Sequence, residues 1–146
     1  MIPLRWDDRP VGLRDPALVC AFTGWTDAVT MNVLMGEAVG VQLGELSRVS
    51  YAPLADVFRA IAPREARHAI LGVEGLTKIA ATAEGRAAAK ASIAYWRPRV
   101  AATFGHAGSE RYGRLRHLGL RHEPNATLLA RWNATVESRL AALDLI

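Results

Sequence analysis

The sequence predicts an all-α protein, in which a helical hairpin is followed by further helices around one hydrophobic core. After residue 27, apolar residues recur at intervals of three and four, which is the spacing of one helix face. No segment alternates β-branched and polar residues as a half-buried strand would. Hydrophobic residues make up 51% of the chain and charged residues 22%, which excludes intrinsic disorder. At 146 residues, the chain is long enough for a single domain, 1–146, with its own core.

The N-terminal part divides into an irregular segment and a long helix. Residues 1–26 contain several proline and glycine breaks and no sustained helical period. Within them, the apolar run 17–22 fits either a short strand or a helical turn. Asp27 is suited to an N-cap, so we expect the first helix to run from Ala28 to about Ser50.

A second long helix follows a short turn. Pro53 is suited to its first turn, and the helical pattern continues to about Ala80. Pro63 lies inside this pattern and is expected to kink the helix or to force a bulge. The two helices together predict an antiparallel hairpin over residues 28–80.

Residues 82–146 predict three C-terminal helices. Thr82 can cap the first of them, an alanine-rich run over 83–104 that contains Pro98. A short helix follows Ser109 and closes at Gly119. The last helix starts at Asn125, and its apolar residues form an amphipathic stripe of Leu129, Trp132, Val136, Leu140 and Leu143. We also expect Tyr95, Trp96 and Trp132 to lie in the core.

Several classes of protein are disfavoured by composition. Cys20 is the only cysteine, so one chain can form neither a disulfide framework nor a thiolate metal site. The N-terminus lacks an apolar core of signal-peptide length, and no run of 18 apolar residues occurs. We therefore expect a cytoplasmic protein with no membrane partner.

A basic segment stands out against the modest net charge of +4. It runs from Arg97 to Arg121 and contains six arginines but a single acid, Glu110. Such a cluster of positive charge could hold phosphate in a nucleic acid or a coenzyme. The alternative is an ordinary solvated helix face. No RNA-binding signature or alternation of aromatic and basic residues occurs, so a nucleic acid partner is not expected. The predicted phosphate-binding residues are Arg111, Arg114, Arg116 and Arg121.

Two acids and a histidine are the strongest candidates for chemistry. Glu65 and His68 are three residues apart, which places them on one helix face within an alanine-rich, apolar stretch. Glu37 is a lone acid in an apolar run of the preceding helix. Glu45 is less attractive, because it can pair with Arg48 on the surface. The alternative is that all of these residues are ordinary surface polar groups.

Residue counting places these candidates at one height in the hairpin. Tyr51 lies in the turn, fourteen residues after Glu37 and fourteen before Glu65. At about 1.5 Å per residue, both acids lie roughly 20 Å from the turn. The spacing thus predicts that Glu37, Glu65 and His68 converge on one metal site. Oxygen and imidazole ligands favour iron or manganese over zinc or copper.

Glycine recurs every fourth residue along the first helix, at Gly36, Gly40 and Gly44. Each glycine inside a helix costs about 1 kcal/mol relative to alanine. Three of them at this spacing therefore indicate that another backbone comes close.

The hairpin resembles the second helix pair of the ferritin-like di-iron carboxylate family, specifically the phenylacetate-catabolism ring-epoxidase type. The likeness rests on the run Glu65-Ala-Arg-His68, with Gly72 four residues later and Glu37 upstream. It implies that Glu37, Glu65 and His68 are iron ligands. Such enzymes normally carry a first helix pair with its own ligands, and only 36 residues precede Glu37.

Two interpretations accommodate the missing helix pair. In the first, two chains form a homodimer whose hairpins complete a four-helix bundle and share a site for two iron ions, or manganese. The expected function is then O₂-dependent oxidation or ferroxidase chemistry. The resemblance also implies an acyl-coenzyme A or another phosphate-bearing small molecule as substrate. In the second, the chain is a metal-free helical subunit with a structural or partner-binding role.

Overall fold

The computed structural model describes residues 22–106, 108 and 110–146, and it confirms the all-α prediction. Within these residues every regular element is a helix. None of these helices has the length and the apolar character needed to cross a membrane. The strand or turn predicted over 17–22 lies, apart from Phe22, outside the described residues. The five helices are α1 (Trp25–Leu46), α2 (Ala52–Ala80), α3 (Ala83–Ala102), α4 (Glu110–His117) and α5 (Asn125–Ala142).

The central element is α1, which packs against α2, α3 and α5. The indole N–H of Trp132 on α5 donates to the Leu34 carbonyl of α1 at 2.9 Å, inside the core. Trp96 on α3 and Trp132 on α5 are both fully buried, and the burial of these large apolar rings stabilises the packing of the two helices in the core. Tyr95, predicted to lie in the core, is instead 40% exposed, and the Arg99 guanidinium stacks over its ring. Residues that are fully or almost fully buried include Val33, Leu34, Leu76, Trp96, Val100, Leu128, Trp132, Val136 and Leu140.

The start of α1 differs from the prediction by one turn. The helix begins at Trp25 with Gly24 as its N-cap, so Asp27 lies in the first turn and is not the cap. The Asp27 carboxylate accepts hydrogen bonds from the Ser92 hydroxyl on α3 at 2.6 Å and from the Thr23 hydroxyl at 2.6 Å. These bonds, that from Ser92 foremost, lower the pKa of Asp27 to about 2. This carboxylate therefore ties the N-terminus of α1 to α3.

The signals at the start of α3 and after α4 are confirmed, whereas α1 ends at Leu46 and not at the predicted Ser50. Thr82 caps α3, because its hydroxyl accepts the Gly85 N–H at 3.0 Å. The chain turns after α4 at Gly119, whose φ of +67° is a left-handed conformation that favours glycine. Pro63 and Pro98 interrupt neither of their helices, since α2 and α3 both continue past them.

The helices α1 and α2 approach most closely at glycines. A Cβ added at Gly36 would lie 3.0 Å from the Ala69 Cβ, and one added at Gly72 would lie 3.2 Å from a Val33 methyl group. The predicted close backbone approach is thus confirmed at Gly36. At Gly40 and Gly44, by contrast, an added Cβ would meet no described atom within 4 Å.

This difference predicts opposite effects for two identical substitutions. Gly36→Ala should destabilise the fold by about 1–3 kcal/mol, because the new methyl group forces α2 away from α1. Gly40→Ala should stabilise it by about 0.5–1 kcal/mol, because alanine loses less conformational entropy in a helix. Urea unfolding measures both values. Equal effects would contradict the packing described here.

Candidate functional site

The predicted ligands lie at one height but on opposite sides of the α1–α2 pair. Gly36 faces Ala69, so Glu37 is level with His68. Each residue advances about 100° around a helix. Glu37 follows Gly36 by one residue, whereas His68 precedes Ala69 by one. Because the two helices are antiparallel, these one-residue offsets place Glu37 on one side of the helix pair and His68 on the other. The predicted convergence of Glu37 with Glu65 and His68 in one chain is therefore wrong, because counting residues fixes height but not direction.

Glu37 lies on the side of α1 that faces α5. Its carboxylate accepts a hydrogen bond from the Arg139 Nε at 2.6 Å, and only 13% of the Glu37 side chain is exposed. Such a charge-assisted contact satisfies a carboxylate that would otherwise be costly to cover. In this arrangement Glu37 joins α1 to α5.

Glu65 and His68 lie together on the other side. The Glu65 Oε2 and the His68 Nδ1 are 3.4 Å apart, and the two side chains are 32% and 47% exposed. Adjacent ligand atoms that each lie about 2.1 Å from one octahedral cation are separated by about 3.0 Å, so a small side-chain movement would bring both atoms onto one iron or manganese ion. Asn32 of α1 lies beside them, with its amide nitrogen 3.5 Å from the His68 carbonyl. The pair can therefore contribute one carboxylate and one imidazole to a single cation.

The pair belongs to a longer exposed row that we call the α2 stripe: Leu54, Val57, Ile61, Glu65 and His68. Spacings of three and four place these five residues on one helix face. Its three apolar members are between 39% and 52% exposed, and Leu71 at its edge is 50% exposed. A row of large apolar side chains in water marks an interaction surface more often than a single one does.

The described part of one chain does not contain a complete metal site. Among the described residues, no three histidine, cysteine, aspartate or glutamate side chains form a group that could hold a metal ion. The Glu65–His68 pair supplies two ligands, and an iron or manganese centre requires at least four. A second copy of the chain could supply the remaining ligands.

Glu45 is the most deeply buried carboxylate of the described residues. Its burial was not predicted from the sequence. The predicted pairing with Arg48 is confirmed, because the Arg48 guanidinium lies 2.6 Å from the Glu45 Oε2. Glu45 itself is fully buried, however, and its Oε1 accepts the backbone N–H groups of His122 and Glu123. No local pattern could have shown this, because these partners lie more than 70 residues away along the chain.

This arrangement fixes the loop before α5. Burial raises the pKa of Glu45, but the two backbone N–H donors and Arg48 outweigh it, so the pKa lies below its usual value. Arg48 also bonds Glu123 at 2.9 Å, and Arg131 bonds the same carboxylate at 2.6 Å. This network is a structural one, and all of its acidic groups are already paired.

The four predicted phosphate-binding arginines occupy different environments. Arg121 is only 17% exposed and donates to the Asn125 side chain at 2.6 Å, so it belongs to the network around Glu45. Arg111, Arg114 and Arg116 are exposed on α4. Arg111 and Arg114 line a cleft together with Leu115, and Arg116 is not among the residues that line it.

Comparison with known proteins does not assign the chain. No model of a known protein family matches it, and no curated protein sequence matches it either. The resemblance to the di-iron carboxylate family therefore stays a prediction that rests on the quoted residues.

Removing the Glu45 charge tests the role of this carboxylate. Glu45→Gln should lower the free energy of unfolding by about 2–4 kcal/mol at neutral pH, because it leaves Arg48 and backbone donors without their anionic acceptor. Since the folded pKa lies below the ordinary 4.5, the stability from ionised Glu45 is present above that pH and is lost as pH falls through the folded pKa.

Wild type should therefore lose more stability on acidification than Glu45→Gln, as measured by urea unfolding between pH 7 and the acid range. Glu74→Gln, a change of an exposed acid on α2, is the control and should leave stability nearly unchanged. Equal loss in both variants would contradict the role assigned to Glu45.

Proposed function

We propose that this protein is one half of a carboxylate–histidine metal centre, which a second copy completes through the α2 stripe. The observation that carries this proposal is the position of Glu65 and His68 within an exposed apolar row. An ordinary solvated helix face would carry polar residues without a row of large apolar ones. An ordinary apolar contact surface would not need a carboxylate and an imidazole side by side. Their combination is what a shared, water-excluding metal site requires.

Two-fold pairing would supply what one chain lacks. An isologous interface doubles every residue, so two copies contribute two carboxylates and two imidazoles. The same contact would cover the apolar members of the stripe, Leu54, Val57 and Ile61. Mixed oxygen and imidazole ligands favour iron or manganese. When bound, such a metal supplies O₂-dependent oxidation or ferroxidase chemistry, which is the function that we propose.

The proposed ligands are Glu65 and His68 of each copy, whereas the sequence also predicts Glu37. Glu37 is engaged by Arg139 on the side of the hairpin opposite Glu65 and His68, so it is not included. Without Glu37, the dimer has two carboxylates fewer than the sequence predicts. A second cation could then be held only if Glu65 bridges the two cations. The chain's own contribution is to hold Glu65 and His68 within one helical turn of each other.

The competing candidate is a metal-free helical subunit that binds a partner protein. It is favoured by the exposed apolar side chains of Leu54, Val57 and Ile61, which a partner could cover without any metal. In that case the apolar members of the α2 stripe would bind a partner helix, and Glu65 and His68 would be polar neighbours of the contact. Metal content discriminates the two candidates, because only the first requires both side chains.

The metal site can be tested by anaerobic reconstitution with Fe(II), removal of free iron and elemental analysis. Wild type should retain at least one iron per two chains. Glu65→Ala and His68→Ala should each lower iron affinity roughly tenfold or more, because each removes a direct ligand from both halves of the site.

Two carboxylate variants serve as matched controls for this experiment. Glu74→Ala removes an acid from the same helix outside the stripe, and Glu37→Ala removes the predicted ligand that faces α5. Both should retain wild-type iron content. A wild-type protein that retains no iron would exclude the metal centre and favour the metal-free subunit. Equal loss in Glu74→Ala would show nonspecific binding and would contradict the proposed site.

A further inference from the structure

Arginines that have no acidic or aromatic partner within the described residues are candidates for binding an anion, so we first identify the arginines that do have one. Six of them lie within 3.2 Å of a carboxylate oxygen, and these are Arg48, Arg59, Arg86, Arg97, Arg131 and Arg139. Arg99 stacks over Tyr95 and Arg121 bonds Asn125. The side chains of five others, Arg64 and Arg67 on α2 and Arg111, Arg114 and Arg116 on α4, have no ion pair or hydrogen bond with any described residue.

Two of these five arginines share a cleft. Arg111 and Arg114 are three residues apart and line a depression of about 390 Å³ together with Leu115. Positions separated by three residues lie about 5–6 Å apart on a helix surface, so the two guanidinium groups can reach one small anion. Arg116 lies about 140° around the helix from Arg111 and therefore points elsewhere.

The helix that carries them is fixed to the bundle at its C-terminal end. The Ser50 N–H and hydroxyl donate to the carbonyls of Gly119 and Leu118 at 2.8 Å and 2.6 Å. The Tyr112 hydroxyl donates to the His122 carbonyl at 2.9 Å. These contacts hold α4 against the α1–α2 turn and the loop before α5. A fixed helix reduces the entropy that ligand binding would otherwise cost.

We propose that Arg111 and Arg114 form a binding site for a phosphate-bearing small molecule. Guanidinium groups present paired N–H donors that match phosphate oxygens, and two of them together balance a dianion. Leu115, which lines the same depression, supplies an apolar surface beside them for the organic part of the ligand. The site occupies one side of an eight-residue helix, which suits a small anion better than an extended polyanion. It does not depend on the proposed metal centre.

The site can be tested by NMR on the intact chain, using the side-chain Nε–H resonances of arginine. Inorganic phosphate and butyl phosphate are titrated at constant ionic strength against chloride. The Arg111 and Arg114 signals should shift and saturate, while the Arg116 signal should not. Butyl phosphate should bind more tightly than inorganic phosphate, because its alkyl group contacts Leu115.

Matched substitutions on the same helix complete the test. Arg111→Gln should weaken binding of butyl phosphate about tenfold, as loss of one charge-assisted contact predicts. Arg116→Gln removes the same charge from the other face and should leave binding unchanged. Shifts that never saturate, or equal weakening in both variants, would overturn the proposal. So would binding of a single-stranded oligonucleotide that moves the Arg116 signal as strongly as that of Arg111, because it would indicate an extended polyanion surface.

Discussion

The close contact of Gly36 on α1 with Ala69 on α2 determines where the polar side chains of the hairpin lie. It brings the two helix backbones together and so fixes both their register and their rotation. Once that rotation is fixed, Glu37 is directed towards α5, where Arg139 neutralises it. Glu65 and His68 are directed to the opposite side, where they stay partly exposed. One packing contact thus separates a structural carboxylate from a pair that is available for binding.

Local features of the fold were predictable because their causes are local. The spacing of apolar residues along α5, the Thr82 cap and the left-handed Gly119 each depend on a few neighbouring residues. The height of Glu37 relative to His68 was also nearly right, since a hairpin register follows from its turn. These signals establish the helices and their order.

The direction of individual side chains could not be predicted in the same way. It depends on which face of each helix meets its neighbour, and that is decided by contacts between distant residues. Glu45 shows this most clearly, because its buried oxygen is satisfied by backbone groups of His122 and Glu123. A tertiary contact of this kind leaves no periodic trace in the sequence. The same reason explains why Glu37 could be placed at the right height but on the wrong side.

Pairing of the α2 stripe with a second copy when metal binds can be measured by sedimentation velocity with and without Fe(II). Ile61→Asp places a charge within the α2 stripe. Ile70→Asp is the control, because it changes a comparably exposed isoleucine on another face of the same helix. Both residues are exposed in one chain, so neither change should unfold it. We expect an iron-dependent dimer for wild type and for Ile70→Asp, and a monomer for Ile61→Asp. A wild-type protein that binds iron and stays monomeric at micromolar concentration would rule out a metal site shared through the α2 stripe.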